Sequence, residues 1–219
     1  MKNTKQGILF DLDGTLWDSG EAVVASWNEV LDSLPDVDMH ITTEDMHSYM
    51  GLPMDEIGRR CFGSLGFSKE RIAEIMKACE THENDYILEH GGILFPQVEE
   101  ELKRLSEKYF LAIVSNCQVG YIEAFLEHHG LGQYIDDTEN FGATGMQKWD
   151  NIRLVCERNH LEKAVYLGDI EGDYNAATKA GIPFIHAKYG FGIIDEKVPY
   201  INSITELEAV VEEVFAKQK

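Results

Sequence analysis

The sequence predicts an α/β protein: a doubly wound, Rossmann-like parallel sheet core with an inserted α-helical cap. Three observations carry that reading. Beyond residue 91, short apolar runs alternate with segments whose apolar positions recur at helical spacing, the pattern of right-handed strand–helix–strand crossovers. A further run of the same kind, residues 7–10, stands apart near the other end of the chain. Between them, residues 17–90 carry helix signals and no convincing strand. The expected division of the 219 residues is a discontinuous core, 1–16 and 91–219, interrupted by a helical cap at 17–90.

Each element has its own warrant. Gly7, Ile8, Leu9 and Phe10 form a buried strand that stops at an acidic, glycine-bearing turn. Val23, Trp27, Val30, Leu31 and Leu34 share one face of a helix over 21–34. Thr43 is placed to cap a helix ending near Met50, after which Gly51-Leu52-Pro53 breaks the chain. Helices over 54–61, closing at Gly63, and over 68–90 complete the block. Past Gly91-Gly92, one helix face is marked by Val98, Leu102, Leu105 and Tyr109, and 110–114 is an apolar strand. Ile122, Phe125 and Leu126 mark a helix closed by Gly130. A strand near 136–141, a helix over 148–159, a strand at 164–168 and a helix at 172–180 stopped by Gly181 follow. A strand at 183–187 and a helix from Thr205 to about Lys217 end the series.

Composition narrows the function class. Lys and Arg total 19 against 39 Asp and Glu, a formal net charge of −20. The chain as a whole repels nucleic acid and anionic membrane surfaces, so neither is expected as a partner. An anionic ligand has to be held locally, by amides, a few basic side chains and a cation. The start, MKNTKQ and then four non-polar residues, is too short for a signal-peptide core. No later apolar run approaches the ~20 residues of a membrane span. Cys61, Cys79, Cys117 and Cys156 show neither C-x-x-C spacing nor a disulfide framework, and a reduced, cytoplasmic setting is expected.

Four strand ends or helix starts carry chemistry-bearing residues, and ligands of open parallel sheets bind beyond the carboxyl ends of the strands. The first is Asp11-Leu12-Asp13-Gly14-Thr15. With each residue type used at roughly 5–7%, D-x-D-G-T arises by chance about once in 10⁵ positions. A calcium loop would set its Gly at the sixth place and follow a helix, whereas here Gly is fourth and follows a strand. A carboxylate that attacks phosphorus needs a cation against anion–anion repulsion and a second acid for the leaving oxygen, which suits Asp11 as nucleophile and Asp13 as acid, then base. The second place, Ser115-Asn116, offers a hydroxyl and amides to a phosphoryl oxygen. The third, Lys148, opposes the dipole of the helix it starts, a placement that a cluster of carboxylates or a phosphate justifies. The fourth is Gly168-Asp169-Ile170-Glu171-Gly172-Asp173, where acids at i and i+4 share a first helical turn and suit magnesium. Together they supply the parts of phosphoryl transfer through an aspartyl-phosphate.

These residues resemble the haloacid dehalogenase-like hydrolase superfamily, and within it the phosphatases similar to phosphoglycolate phosphatase. The resemblance runs through Phe10-Asp11-Leu12-Asp13-Gly14-Thr15-Leu16, Ile113-Val114-Ser115-Asn116, Lys148, and Gly168-Asp169 to Asp173. It implies Asp11 as nucleophile and Asp13 as general acid/base whose backbone carbonyl also contacts Mg2+. It implies Ser115, the Asn116 amide and Lys148 around the transferring phosphoryl group. Asp169 is then a direct magnesium ligand beside Asp11 and Asp13, with Asp173 and Thr15 in support, and the helical cap is implied as well. Two departures stand out: Trp149 occupies the place after the lysine where the family has Pro, and Gln97 follows Pro96 where Gly is common. Trp149 is expected to be a packed or half-exposed aromatic rather than a substrate platform. Asp13 argues against dehalogenation, and the first motif against phosphonate cleavage.

The expected substrate is a small phosphorylated metabolite, a phosphomonoester and not a bisphosphate. The loop 50–54 carries no Arg or Lys, and Arg59 and Arg60 read as solvated surface charges. Substrate choice is expected near Asp18, Ser19 and that loop. Two alternatives use similar groups: a phosphomutase of the β-phosphoglucomutase type, and a receiver-like signalling module that holds phospho-aspartate. The inserted helices and Asp13 oppose the second. The sequence is silent on oligomeric state.

Overall fold

A computed structural model describes residues 3–218. The strands are β1 (Asn3–Phe10), β2 (Trp17–Asp18), β3 (Ile93–Leu94), β4 (Tyr109–Ser115), β5 (Asp137–Asn140), β6 (Lys163–Gly168), β7 (Phe184–Ala187) and β8 (Tyr200–Ile201). The helices are α1 (Gly20–Ser33), α2 (Thr43–Tyr49), α3 (Met54–Phe62), α4 (Lys69–His90), α5 (Val98–Ser106), α6 (Tyr121–His129), α7 (Phe141–Thr144), α8 (Lys148–Arg158), α9 (Glu171–Ala180) and α10 (Leu207–Lys217).

Six strands form one sheet in the order β5-β4-β1-β6-β7-β8, every pair parallel. The chain runs outward from β1 through β4 to β5, then crosses back to β6 on the other side of β1. That reversal opens a crevice at the carboxyl ends of the central strands. Pleating sends Ile8 and Phe10 to one face and Leu9 to the other. The Leu9 face is covered by α8 and α9 through Ile152, Val155, Ala176 and Ala177. Leu102, Ile122, Phe125 and Val211 cover the opposite face from α5, α6 and α10. The sheet is thus a doubly wound α/β core, as expected.

The stretch between β2 and β3 holds α1 to α4, with α1 packed on α4 and α4 on α6. Its apolar residues, among them Trp27, Met46, Ile57 and Cys79, continue the core on the Ile8 side. Trp17 lies opposite Leu94 and Asp18 opposite Ile93, so the chain leaves the sheet layer and returns to it side by side.

Several boundaries move for identifiable reasons. Thr42, not Thr43, caps α2: its hydroxyl accepts from Asp45 N at 3.1 Å while Asp45 accepts from Thr42 N. Tyr109 opens β4 instead of closing a helix face, because α5 ends at Ser106. β2, β3, β8 and α7 span two to four residues each, too short to carry a period. Among the described residues no helix is long and apolar enough to cross a membrane.

Candidate active site

The strand ends and the start of α8 bring Asp11, Asp169, Asp173 and Lys148 to one place. Asp11 leaves β1 with its amide bonded to Leu167 O of the neighbouring β6 at 2.8 Å. Asp169 follows the end of β6 directly. Carboxylate oxygens of Asp11, Asp169 and Asp173 all lie within 4.8 Å of one another, and all three residues are buried. Lys148, the first residue of α8, reaches in from the β5 side and donates to Asp11 Oδ1 at 2.8 Å and Asp173 Oδ1 at 2.7 Å. These carboxylates answer the question of why a lysine starts a helix.

Asp173 serves two ends at once. Its Oδ2 accepts from the amides of Asp169 at 3.1 Å and Ile170 at 3.2 Å, capping α9, while its Oδ1 holds Lys148. Thr15 Oγ1 lies 3.4 Å from Asp169 Oδ1, and Phe191 N donates to Asp169 Oδ2 at 2.8 Å. Gly14 makes the turn possible: its φ is +80°, and a Cβ there would stand 2.3 Å from Asp169 Oδ2. Glu171 is exposed.

Electrostatics follow from this crowding. Burial, with Asp173 nearby, pushes the Asp11 carboxyl up to about 7 although Lys148 pulls the other way. Burial, then Asp173 and Asp11, raises Asp169 well above the usual carboxylate range. Burial works against the charge of Lys148, but Asp11 and Asp173 outweigh it and hold the ammonium well above its ordinary value. When all three carboxylates are ionised, the single ammonium leaves an excess of two negative charges. An all-oxygen donor set with that deficit fits a hard divalent cation.

Asp13 lies apart from this cluster. Ser19 Oγ donates to its Oδ1 at 2.6 Å, and Tyr121 OH stands 2.9 Å from both Asp13 Oδ1 and Ser19 Oγ. Burial raises the Asp13 carboxyl, and the Ser19 and Tyr121 hydroxyls oppose that rise. Asp13, Ser115 and Asn116 line one end of a cavity of about 40 Å³ beneath α1 to α4. Trp27, Met46, Met50, Leu52 and Ile57 form its apolar wall, and Glu83 and Gln118 its polar one. Asn116 Nδ2 donates to Gly51 O at 2.9 Å, which ties the loop 50–54 down over the strand ends.

A sequence profile of the haloacid dehalogenase-like hydrolase family matches residues 8–187. The chain belongs to the haloacid dehalogenase-like hydrolases. Among curated relatives, a phosphoglycolate phosphatase of Vibrio vulnificus is 30% identical and one of Vibrio parahaemolyticus 28%, each over 84% of both chains. The fold matches a crystal structure described as a predicted phosphoglycolate phosphatase from Haemophilus somnus, with a TM-score of 0.81 at 19% identity over 95% of this chain and 98% of that one. This family member is an enzyme, a phosphatase of the group resembling phosphoglycolate phosphatase. The signalling-module alternative falls away with that.

Within this hydrolase, Ser19 and Asp18 are both engaged by neighbouring groups, and neither lines the cavity. Ser19 stands at the start of α1 without capping it, its hydroxyl being turned to Asp13. Asp18 Oδ1 accepts from Gly20 N at 2.9 Å and pairs with His47 Nε2 at 3.0 Å. Arg59 and Arg60 both bind Glu56 at the surface. Trp149 is half-buried under the Lys179 ammonium, 4.0 Å from its ring centroid, remote from the cavity lining. Sequence reasoning missed Tyr121, Glu83 and Gln118, which sit in helices or a loop without a motif. The one legible signal was Ser19, a helix-start serine six residues past an acid.

Proposed function

We propose that this hydrolase is a magnesium-dependent phosphomonoesterase that works through an aspartyl-phosphate on Asp11. The observation that carries the reading is the buried cluster in which Lys148 joins Asp11 to Asp173 while Asp169 stands within reach of both. Asp11 and Asp169, with the backbone carbonyl of Asp13, are the residues that would hold Mg2+. When bound, the ion supplies the positive charge that lets a carboxylate approach a phosphate dianion. Lys148 orients Asp11 and offsets charge on the transferring group, which Ser115 Oγ and the Asn116 amide receive. Asp13, steadied by Ser19 and Tyr121, gives its proton to the leaving alcohol. It then takes one from the water that attacks the phosphorus of the acyl phosphate, releasing inorganic phosphate and Asp11.

Residues 17–90 act in this proposal as a cap over the core formed by 1–16 and 91–219, as the adjacent crossings at β2 and β3 support. The substrate is a small phosphorylated metabolite, a reading supported by the partly open cavity of about 40 Å³ that Asp13, Ser115 and Asn116 share with residues from 23 to 83. The cysteines are unpaired, in keeping with a reduced, cytoplasmic setting.

The test is release of phosphate from p-nitrophenyl phosphate with magnesium and no bisphosphate activator. Steady turnover supports the hydrolase and rejects the mutase. Asp11→Asn is expected to lower the rate at least about 10³-fold with an unchanged circular dichroism spectrum. A rate within tenfold of wild type would remove Asp11 from the nucleophile's role.

A further inference from the structure

We propose that Glu83 and Gln118 select the leaving group, so that this site takes esters whose alcohol carries a further hydroxyl or an ammonium and turns away those carrying a carboxylate. The inference deepens the phosphomonoesterase reading and rests on it. It parts from the substrate in the relatives' names.

Glu83 is 3% exposed, on the buried face of α4, yet it lines the same cavity as Asp13, Ser115 and Asn116. Gln118 Nε2 donates to its Oε1 at 2.8 Å, and Trp27 Nε1 donates to its Oε2. A carboxylate has about four acceptor positions, so two are left for a ligand. Gln118 spends its NH2 on Glu83 and, at 3.2 Å, on Asn84 Oδ1. What its amide has left to offer is the carbonyl oxygen, again an acceptor. The rest of the wall is apolar, and among the described residues lining the cavity none is Lys, Arg or His.

The chemistry of that wall decides the ligand. The phosphoryl group goes to the Ser115 end, because the basic and amide groups are there. The alcohol portion then faces acceptors and hydrocarbon. A donor such as a hydroxyl or ammonium completes the vacant acceptor positions of Glu83. A carboxylate, as on phosphoglycolate, meets in ionised Glu83 a buried like charge, with no cation in the cavity lining, which is the arrangement that rejects a wrong partner. Burial pushes the Glu83 carboxyl up to about 7 even with two donors on it, so the like charge is fully developed above that value and the discrimination is to be read at pH 8.

The experiment compares kcat/KM of the full-length wild-type enzyme with magnesium for phosphoethanolamine, glycerol 3-phosphate and phosphoglycolate, beside p-nitrophenyl phosphate. Phosphoethanolamine, glycerol 3-phosphate or both should exceed phosphoglycolate by at least about tenfold, and which of the two leads separates ammonium from hydroxyl recognition. In Glu83→Gln the preference should shrink to within about threefold, most of the change falling in KM. A purely structural role for Glu83 would lower all esters alike and leave the ratio intact. Phosphoglycolate equal to or better than the other two in wild type overturns the inference, and needs no variant to do so. An unchanged ratio in folded Glu83→Gln overturns it as well. Turnover of p-nitrophenyl phosphate alongside either result keeps the phosphatase reading standing; silence on all four esters overturns that reading and the selectivity with it.

Discussion

Asp13 illustrates how much a single carboxyl owes to its neighbours. Its position on the chain, two residues past Asp11, brings it to the strand end, but its direction comes from Ser19 and Tyr121, which hold Oδ1 at 2.6 and 2.9 Å. Tyr121 itself is fixed by edge contact with the Trp17 ring at 5.8 Å. Tyr121→Phe keeps that packing and removes only the hydroxyl. Steady-state assays should show kcat lowered about tenfold, the worth of one hydrogen bond to a charged group, with KM little changed. Glu83 makes a separate prediction through pH. Its carboxyl rises from an ordinary 4.5 to about 7, so the folded state binds the extra proton between those values. The stability this brings is fully present below about 4.5 and lost as pH rises through 7. Urea unfolding at pH 5 and pH 8 should therefore show the wild type losing roughly 2–3 kcal/mol more than Glu83→Gln over that interval. Equal losses in the two proteins would mean that Glu83 is ionised throughout.

At the scale of elements, the active site is a set of chain ends, and each end needs its own anchor. Lys148 has to start α8 at a fixed point, and the segment before it is fastened by Asn140. That side chain accepts from Ala143 N at 2.8 Å, and the Asn140 carbonyl accepts from Thr144 Oγ1, which also reaches Asn151 Oδ1 at 2.9 Å. Asn140→Ala removes the cap of α7 and should cost about 1 kcal/mol, a fall in Tm of about 2–4 °C. Asn140→Ser should recover most of it. None of this could be read from the chain, whereas the main strands could: 7–10, 110–114 and 164–168 are apolar throughout because both faces of the sheet are covered. The acids and Lys148 were legible because each breaks a local rule, an acid pair directly after a buried strand or a cation at the positive end of a helix. Tyr121, Glu83 and Gln118 break none. They reach the cavity only by packing across the joint of α4 with α6, a proximity that no local pattern encodes. Four short elements were missed for the opposite reason, since two to four residues cannot show periodicity.

The whole molecule carries its charge imbalance at two levels. Outside, the net charge of −20 repels itself and is eased by any salt. Inside, Asp11, Asp169 and Asp173 face one Lys148, a deficit that distant salt cannot reach. Magnesium should therefore stabilise the fold in two ways that experiment can separate. The surface effect follows ionic strength and is matched by NaCl. A bound ion adds about 2.7 kcal/mol at a concentration 100 times its Kd, because the unfolded chain lacks the site. For a chain of this size that corresponds to a rise in Tm of about 5–10 °C beyond the NaCl control. Asp169→Asn removes one of the three charges and a proposed ligand. It should melt higher than wild type without magnesium, since repulsion within the cluster is relieved, and should gain nothing from magnesium beyond the ionic-strength effect. Thermal melts of both proteins in MgCl2 and in NaCl of equal ionic strength check this. A full magnesium-specific rise in Asp169→Asn would show that the ion is held elsewhere, and the buried acids would then need another reason to be crowded together.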